Sequence, residues 1–410
     1  MRAIGDSDSM RRQNRALVLE ALRTLGPQSR TQIAGLTGLS HASITAITQD
    51  MSAQEVLVEL EETRADFKTR GRPATRVGFA RALASVVLVE IEVARARLSL
   101  VGYDATLVDR IDMPLPPRAF QETAPPALLE QGIRRLFDRN QREAARMRRI
   151  AISVQGILDA AGHSLTWSPV PHLAGHDLVN GLGSRFDVPV ELTKRGRLLA
   201  EGARWLDPSL KDAEVATVFV GATVAMGLSA SGPGFGRDAR ATEFGHMNHV
   251  PGGALCRCGM QGCIEAYAAD YAILRAAYSV PEKATPAPAV PAAEFDALIA
   301  RGQAGDRAAV HAFNQAGRAI GYGLNRLTAL FRPSHVVIVG PGARAYPLMR
   351  LELEAALGNS LVARHSGMPQ IRTLKDEGEP IFHGLVLQTL GALDREEIAG
   401  MPGVRGAAAG

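Results

Sequence analysis

Between Arg15 and Gly26 the apolar residues Val18, Leu22 and Leu25 recur at spacings of four and three, one face of a helix that Gly26 is placed to end. Ser29 opens a second helix, "RTQIAGLTG", with Gln32 as the other half of a capping box and Gly38 as its stop. A third follows at once: Ser40 and Ser43 are both placed to cap it, and Ile44, Ile47 and Met51 form its buried stripe. The period then drops to two. Val56, Val58 and Leu60 in "EVLVELEE" alternate as a strand does, and "KTRGRPATRVGF" returns as its partner.

From about Ser85 the pattern becomes strands alternating with helices. "ASVVLVEIEV" and "RARLSLVGYD" read as a hairpin, and "RRIAISVQGIL" as a buried strand ending in a turn. "ATVFVGATVAMGLSASG" gives two further strands around glycines, and "SHVVIVGPGA" another strand and turn. Such alternation predicts α/β lobes around a cleft. "VPEKATPAPAVPAAEF" reads as a surface loop between helices. The expected organisation is a head over residues 1–80, a first lobe over 81–198 and a second over 199–381. A helix over 382–396 is expected to pack back on the first lobe, and 397–410 to be a disordered tail.

Two short helices joined by a tight glycine turn, then a strand pair, match a winged helix-turn-helix. The outward positions around the third helix are Ser40, His41, Ala42, Ser43, Thr45 and Gln49, small or hydrogen-bonding and suited to the major groove. Arg70-Gly71-Arg72-Pro73 sets Arg70 and Arg72 around a glycine, a shape that fits a narrow minor groove. The expected partner is double-stranded operator DNA. Net charge is only +4 over 410 residues, so the local pattern carries this expectation, not the total. The N-terminal stretch has no apolar core for a signal peptide and no apolar run is long enough for a bilayer, so a cytoplasmic protein without membrane contact is expected.

All three cysteines fall within "CRCGMQGC". Three cannot all pair, and clustered cysteines in a long chain point to a metal site. Cys256, Cys258 and Cys263 supply three thiolates, and His246 and His249 are the nearest upstream imidazoles. Four protein ligands make a closed, structural zinc site.

"EFGHMNHVPGGALCRCGMQGCIEAY" resembles the signature of the ROK family of sugar-responsive repressors and sugar kinases, matching it at Glu243, Gly245, His246, Cys256, Cys258, Gly259, Gly262, Cys263 and Glu265. The winged helix ahead of Gly-Arg-Pro looks like the repressor branch. The resemblance implies a two-lobed actin-like (ribonuclease H-like, sugar-kinase type) fold, with zinc on His246, Cys256, Cys258 and Cys263. It implies that Glu243, His246 and Glu265 hold sugar hydroxyls, with Gly156 in a cleft-lining segment and Ser168 and His172 as further candidates. Carboxylates and an imidazole suit that task because each accepts from hydroxyls.

The resemblance also implies what is missing. Where the family's kinases carry a first phosphate loop, this chain reads "EIEVA", with Glu90, Glu92, Val93 and Ala94 in place of acid, glycines and threonine. The second loop, "GATVA", keeps one glycine, and "VGPGA" is partly kept. Glu191 matches the kinases' Glu-Asn-Asp, but Leu192 stands for Asn and Thr193 for the catalytic Asp, and threonine has no basic form at neutral pH. A non-catalytic regulator is therefore expected, dimeric or tetrameric, with a sugar or sugar derivative as effector. Lys194, Arg195 and Arg197 raise the possibility of an acidic effector. The rivals are an active sugar kinase with a fused DNA-binding head, and a regulator with a vestigial cleft that answers to a protein partner.

Overall fold

The computed structural model describes residues 3–60, 75–210, 212–230, 239–374 and 379–402. The head consists of helices α1 (Ala3–Leu25), α2 (Arg30–Thr37) and α3 (His41–Ala53), with strands Leu57–Leu60 and Arg76–Phe79 paired antiparallel. The Ser29–Gln32 capping box forms, and Gly38 ends α2 in the left-handed conformation at φ 72°. Ser40 alone caps α3, accepting from the Ser43 N–H, so Ser43 is not a second cap. Val18, Leu22, Ile33, Ile44, Met51 and Val77 belong to a core that continues from the head into the space between the lobes.

Two expectations fail here. Leu25 is exposed, because the chain turns away at Gly26 before that position reaches the core. Val58 and Leu60 are exposed as well, while the adjacent Val56 and Leu57 are both buried. A four-residue strand with only one face packed follows the entry of the chain rather than strict alternation. Arg70 and Arg72 lie outside the described residues.

Beyond the head, two five-stranded sheets face each other. The first runs in the order Val190–Lys194, Met147–Val154, Ser85–Ile91, Arg95–Gly102, Leu107–Pro114; its first three strands are parallel and the rest antiparallel. The second runs Arg240–Thr242, Val224–Ser229, Val215–Val220, His335–Val339, Gln370–Thr373. Both are covered on both faces, which is why their central strands are apolar at nearly every position. In Ser85–Ile91 the residues Val87, Val89 and Ile91 join the core under helices Pro125–Arg139 and Leu178–Phe186, while Val86 and Leu88 join the core between the lobes.

Helices Arg195–Leu206 and Glu379–Leu393 fill the space between the sheets, packed on each other and on both lobes. The boundary expected between 198 and 199 falls inside the first of these, which the lobes share. Residues 397–402, expected to belong to the tail, are described and packed. Asp394–Ile398 continues the last helix as a π-turn, Ile398 and Ala399 are buried, and residues 403–410 lie outside the described residues. What orders this stretch is α1. Arg15, fully buried, donates to Ile398 O at 3.3 Å and Met401 O at 3.1 Å, and to Asp50 and Gln54 at the end of α3. Arg23 forms a fork with Asp394, two bonds of 3.0 Å, and Tyr103 donates to the same carboxylate at 2.5 Å. Among the described residues, no helix is long and apolar enough to cross a membrane.

Candidate effector cleft and metal site

Residues from the ends of strands Met147–Val154, Val190–Lys194 and Val224–Ser229, and from the loop after Arg240–Thr242, meet between the lobes. Gly156, Glu243, His246 and Glu265 all line this cleft, as do Gln155, Trp167, Lys194, Arg195 and Thr223. Gly156 sits at φ +132°, and a Cβ there would stand 2.0 Å from Trp167 O. Gly156→Ala is expected to displace the Trp167 strand and destabilise the first lobe by about 2–4 kcal/mol, read as a lower melting temperature and a shifted tryptophan emission.

Contacts cross from lobe to lobe. Lys194 forms an ion pair with Glu243, and Thr223 donates to Gln155 Oε1 at 3.4 Å. The Trp167 ring stands edge-on to His246 with centroids 5.2 Å apart. Glu265 is almost fully buried; it accepts from the Val224 N–H at 3.1 Å, and burial pushes its carboxyl pKa up. Ser168 and His172 do not line the cleft. The Ser168 hydroxyl is used by Gln155 O and the Val170 N–H, and His172 is occupied with a turn at φ 58°.

The basic edge is neutralised from within. Lys194 pairs with Glu243, Arg195 lies 3.8 Å from Glu92 and over the Phe219 ring at 4.3 Å, and Arg197 pairs with Glu201 at 3.2 Å. An acidic ligand would have to displace one of these carboxylates, so the arrangement does not favour one.

Thr193 does not face the cleft. It is buried beneath the last helix, where Gln388 Nε2 donates to its hydroxyl at 2.6 Å and to Glu191 at 2.5 Å. Glu90 is buried with no hydrogen-bond partner, and burial pushes its carboxyl up to about 7 against the pull of Arg97. Glu92 is held by Arg95 at 2.9 Å and lies 3.8 Å from Arg195.

Against the cleft's second-lobe wall lies the cysteine loop. The ligand atoms of His246, Cys256, Cys258 and Cys263 are all within 4.8 Å of one another, with Cys258 Sγ 3.7 Å from Cys263 Sγ and Cys256 Sγ 3.8 Å from His246 Nδ1. This cluster could hold a metal ion. Gly262 permits the loop to close: φ is +84°, and a Cβ would meet Val250 O at 1.8 Å. Hydrogen bonds among the thiols lower the Cys258 pKa and raise that of Cys256, so Cys258 is the thiol poised to ionise first. His249 stays outside the cluster, against the rings of Tyr267 and Tyr322. His246 turns Nδ1 to the thiols while its ring lines the cleft, so loop and cleft are mechanically one unit.

Two sheets around a shared helix pair, a polar cleft between them and a winged helix at the N-terminus define a class: sugar-kinase-like α/β proteins carrying a DNA-binding-type head. The chain belongs to the ROK family, whose sequence profile matches residues 88–376. Over 401 residues it is 26% identical to the DNA-binding transcriptional dual regulator NagC of Escherichia coli K12, covering 94% of this chain and 97% of the relative. In structure it is similar to a ROK family transcriptional regulator, a homologue of the E. coli MLC protein, with TM-score 0.71, 21% identity and coverage of 94% and 97%. It is also similar to a ROK family glucokinase from Streptomyces griseus, with TM-score 0.54 and 22% identity, over 76% of this chain and all of that one. The structural likenesses carry the fold; the glucokinase's coverage amounts to the two lobes without the length of the head.

Proposed function

We propose that this protein is a ROK-family transcriptional regulator, a repressor of carbohydrate genes, that binds operator DNA through α3 and the wing and answers to a sugar or sugar derivative in the interlobe cleft. The observation that carries this reading is the joining of a winged helix-turn-helix to a cleft whose base position, Thr193, is buried under Gln388. Likeness to a DNA-binding regulator over nearly its whole length supports it.

A regulator must convert binding into motion. With Lys194 and Glu243 paired across it, the cleft holds about 50 Å³, well below the roughly 300–1,000 Å³ of common ligand pockets. A sugar hydroxyl that takes the Glu243 carboxylate from Lys194 parts that pair and frees the lobes to open. The helix beginning at Arg195 then moves with the cleft, and the last helix, packed on it, carries Asp394 and Ile398 to α1. In a homodimer or homotetramer this changes the spacing of two heads, which must match half-sites about one DNA turn apart or multiples of it.

Zinc fits the four-donor cluster. A Zn–S bond of about 2.3 Å in a tetrahedron gives sulfur separations near 3.8 Å, matching the 3.7 Å found between Cys258 and Cys263. Four protein ligands leave no open position, so the ion is structural.

On α3, His41, Ala42 and Gln49 are exposed, Ser43 and Thr45 half-buried, and Ser40 is spent on the cap. Gln49→Ala and His41→Ala are each expected to weaken specific DNA binding by about 1–3 kcal/mol, that is, roughly 5- to 150-fold, with little change in thermal stability. Unchanged affinity in both variants would remove α3 as the reading helix. Arg70 and Arg72 complete the proposed footprint in the minor groove. Under the kinase reading, purified protein turns over ATP with some sugar; Thr193, Glu90 and Glu92 all stand against that outcome.

A further inference from the structure

Beside the polar cleft lies a second recess of about 350 Å³, open to solvent on one side and lined by apolar side chains, among them Val93, Ala94, Leu115, Pro116, Pro171 and Pro288. Its floor, Val93 and Leu115, is buried, and Leu115 N–H donates to Ala94 O at 2.8 Å, fixing the hairpin tip against the following turn. Prolines make most of the rim, so its backbone is already restricted before anything binds.

The recess and the cleft adjoin at three places. Val93 follows Glu92, whose carboxylate lies 3.8 Å from Arg195 in the cleft. Pro171 is two residues from Pro169, which lines the cleft. Arg257 donates to Ala287 O at 2.9 and 2.7 Å and to Ala222 O, tying the segment before Pro288 to the residue before Thr223. Both lobes contribute walls to both spaces, so one molecule lying along the gap would touch polar side chains at one end and mostly carbon at the other.

We propose that the effector is amphiphilic: a glycoside whose sugar occupies the polar cleft and whose aryl or alkyl group fills the apolar recess. This rests on the effector reading above and deepens it. The recess offers no side-chain donor or acceptor for a second sugar ring or a phosphate, whose polar groups would lose water without replacement. It has ample room for an aromatic ring, since an engineered apolar cavity of about 150 Å³ takes up benzene.

The test uses the full chain and calorimetric titration with matched methyl, phenyl and octyl glycosides, in both anomers, of glucose, xylose and N-acetylglucosamine, beside the free sugars and phenol alone. The expected result is at least one sugar whose phenyl or octyl glycoside binds about tenfold or more tighter than its methyl glycoside. In Ala289→Asp, which puts a carboxylate into the recess, that ratio should fall to about one. Ala289→Val, which keeps the wall apolar, should retain it. Sugars that bind while phenyl, octyl and methyl glycosides remain equivalent would overturn the amphiphile and leave the sugar-effector reading standing. Binding of phenol alone, without any gain on attachment to a sugar, would show two unconnected sites and overturn it too. If neither sugars nor glycosides bind, both readings fall.

Discussion

Cys258→Ser is expected to lose the metal and a large part of the second lobe's stability together. Stoichiometric zinc should be found in the purified protein and less than half an equivalent in the variant. Removing one thiolate leaves three donors, and serine is a far weaker ligand than a thiolate. The loop Asn248–Cys263 has few apolar contacts of its own: Ala254, Cys256, Cys263 and Ala266 form a small cluster apart from the main core. Its shape therefore depends on the ion. In small zinc domains metal binding supplies about 10 kcal/mol or more of folding free energy. Here the lobe has its own core, so the expected loss is about 3 kcal/mol, or roughly 10 °C in melting temperature. Because His246 belongs to both cluster and cleft, sugar binding should weaken with it. His249→Ala is the control and should keep its zinc. Full metal content in Cys258→Ser, or loss of metal in His249→Ala, would sink the ligand assignment.

The second large effect belongs to Asp394→Ala. The Arg23–Asp394 pair is nearly fully buried, with side-chain exposures of 6% and 5%, and Tyr103 donates to the same carboxylate. Removing the carboxylate leaves a buried guanidinium that cannot deprotonate and keeps the Tyr103 carbonyl and the Phe79 ring but not its carboxylate partner, at a cost of about 3–5 kcal/mol. Tyr103→Phe removes one hydrogen bond and keeps the ion pair, so it should cost about 1–2 kcal/mol. Hydrogen exchange should show where the loss falls: the amides of α1 and of Asp394–Ile398 should lose protection together, ahead of those in the two sheets. DNA affinity should fall in step, since the Arg23–Asp394 pair links the head to the lobes. Unchanged exchange in α1 would mean that the head is held by other contacts.

Local signals in the sequence carried the helices of the head and the cysteine cluster, while the choice of His246 over His249 came from the family resemblance. The Ser29–Gln32 box and the stripe of Ile44 and Met51 are set by neighbours three to seven residues apart, and they form as read. His246, Cys256, Cys258 and Cys263, a group that could hold a metal ion, fall within eighteen positions, and the tight loop around Gly262 brings them together. The wing shows the limit of local pattern: Val56 and Leu57 are consecutive and both buried, which no alternation rule anticipates.

The cleft was half legible. Glu243, His246, Glu265 and Gly156 were found because the family resemblance singled them out, and the structure gathers them in one place. Its other lining arises from pairs far apart in sequence, such as Lys194 with Glu243, 49 residues on, and Gln155 with Thr223, 68 residues on. Ser168 and His172 were misplaced because a turn, not a ligand, uses them. The Gly/Ala-rich end of the chain looked like tail from composition alone. The burial of Ile398 depends on Arg15, 383 residues earlier, and no window along the chain contains both.

The central claim is that one chain both reads DNA and senses a sugar. The measurement that tests it most directly is fluorescence anisotropy of the full chain on DNA flanking its own gene, with unrelated DNA as control and sugars and glycosides added in turn. The account predicts selective binding to the flanking DNA, steeply weakened by salt, and a shift in that affinity with at least one sugar or glycoside, without ATP turnover. Binding no better than to the control DNA across salt concentrations, or turnover of ATP with any sugar, would contradict it.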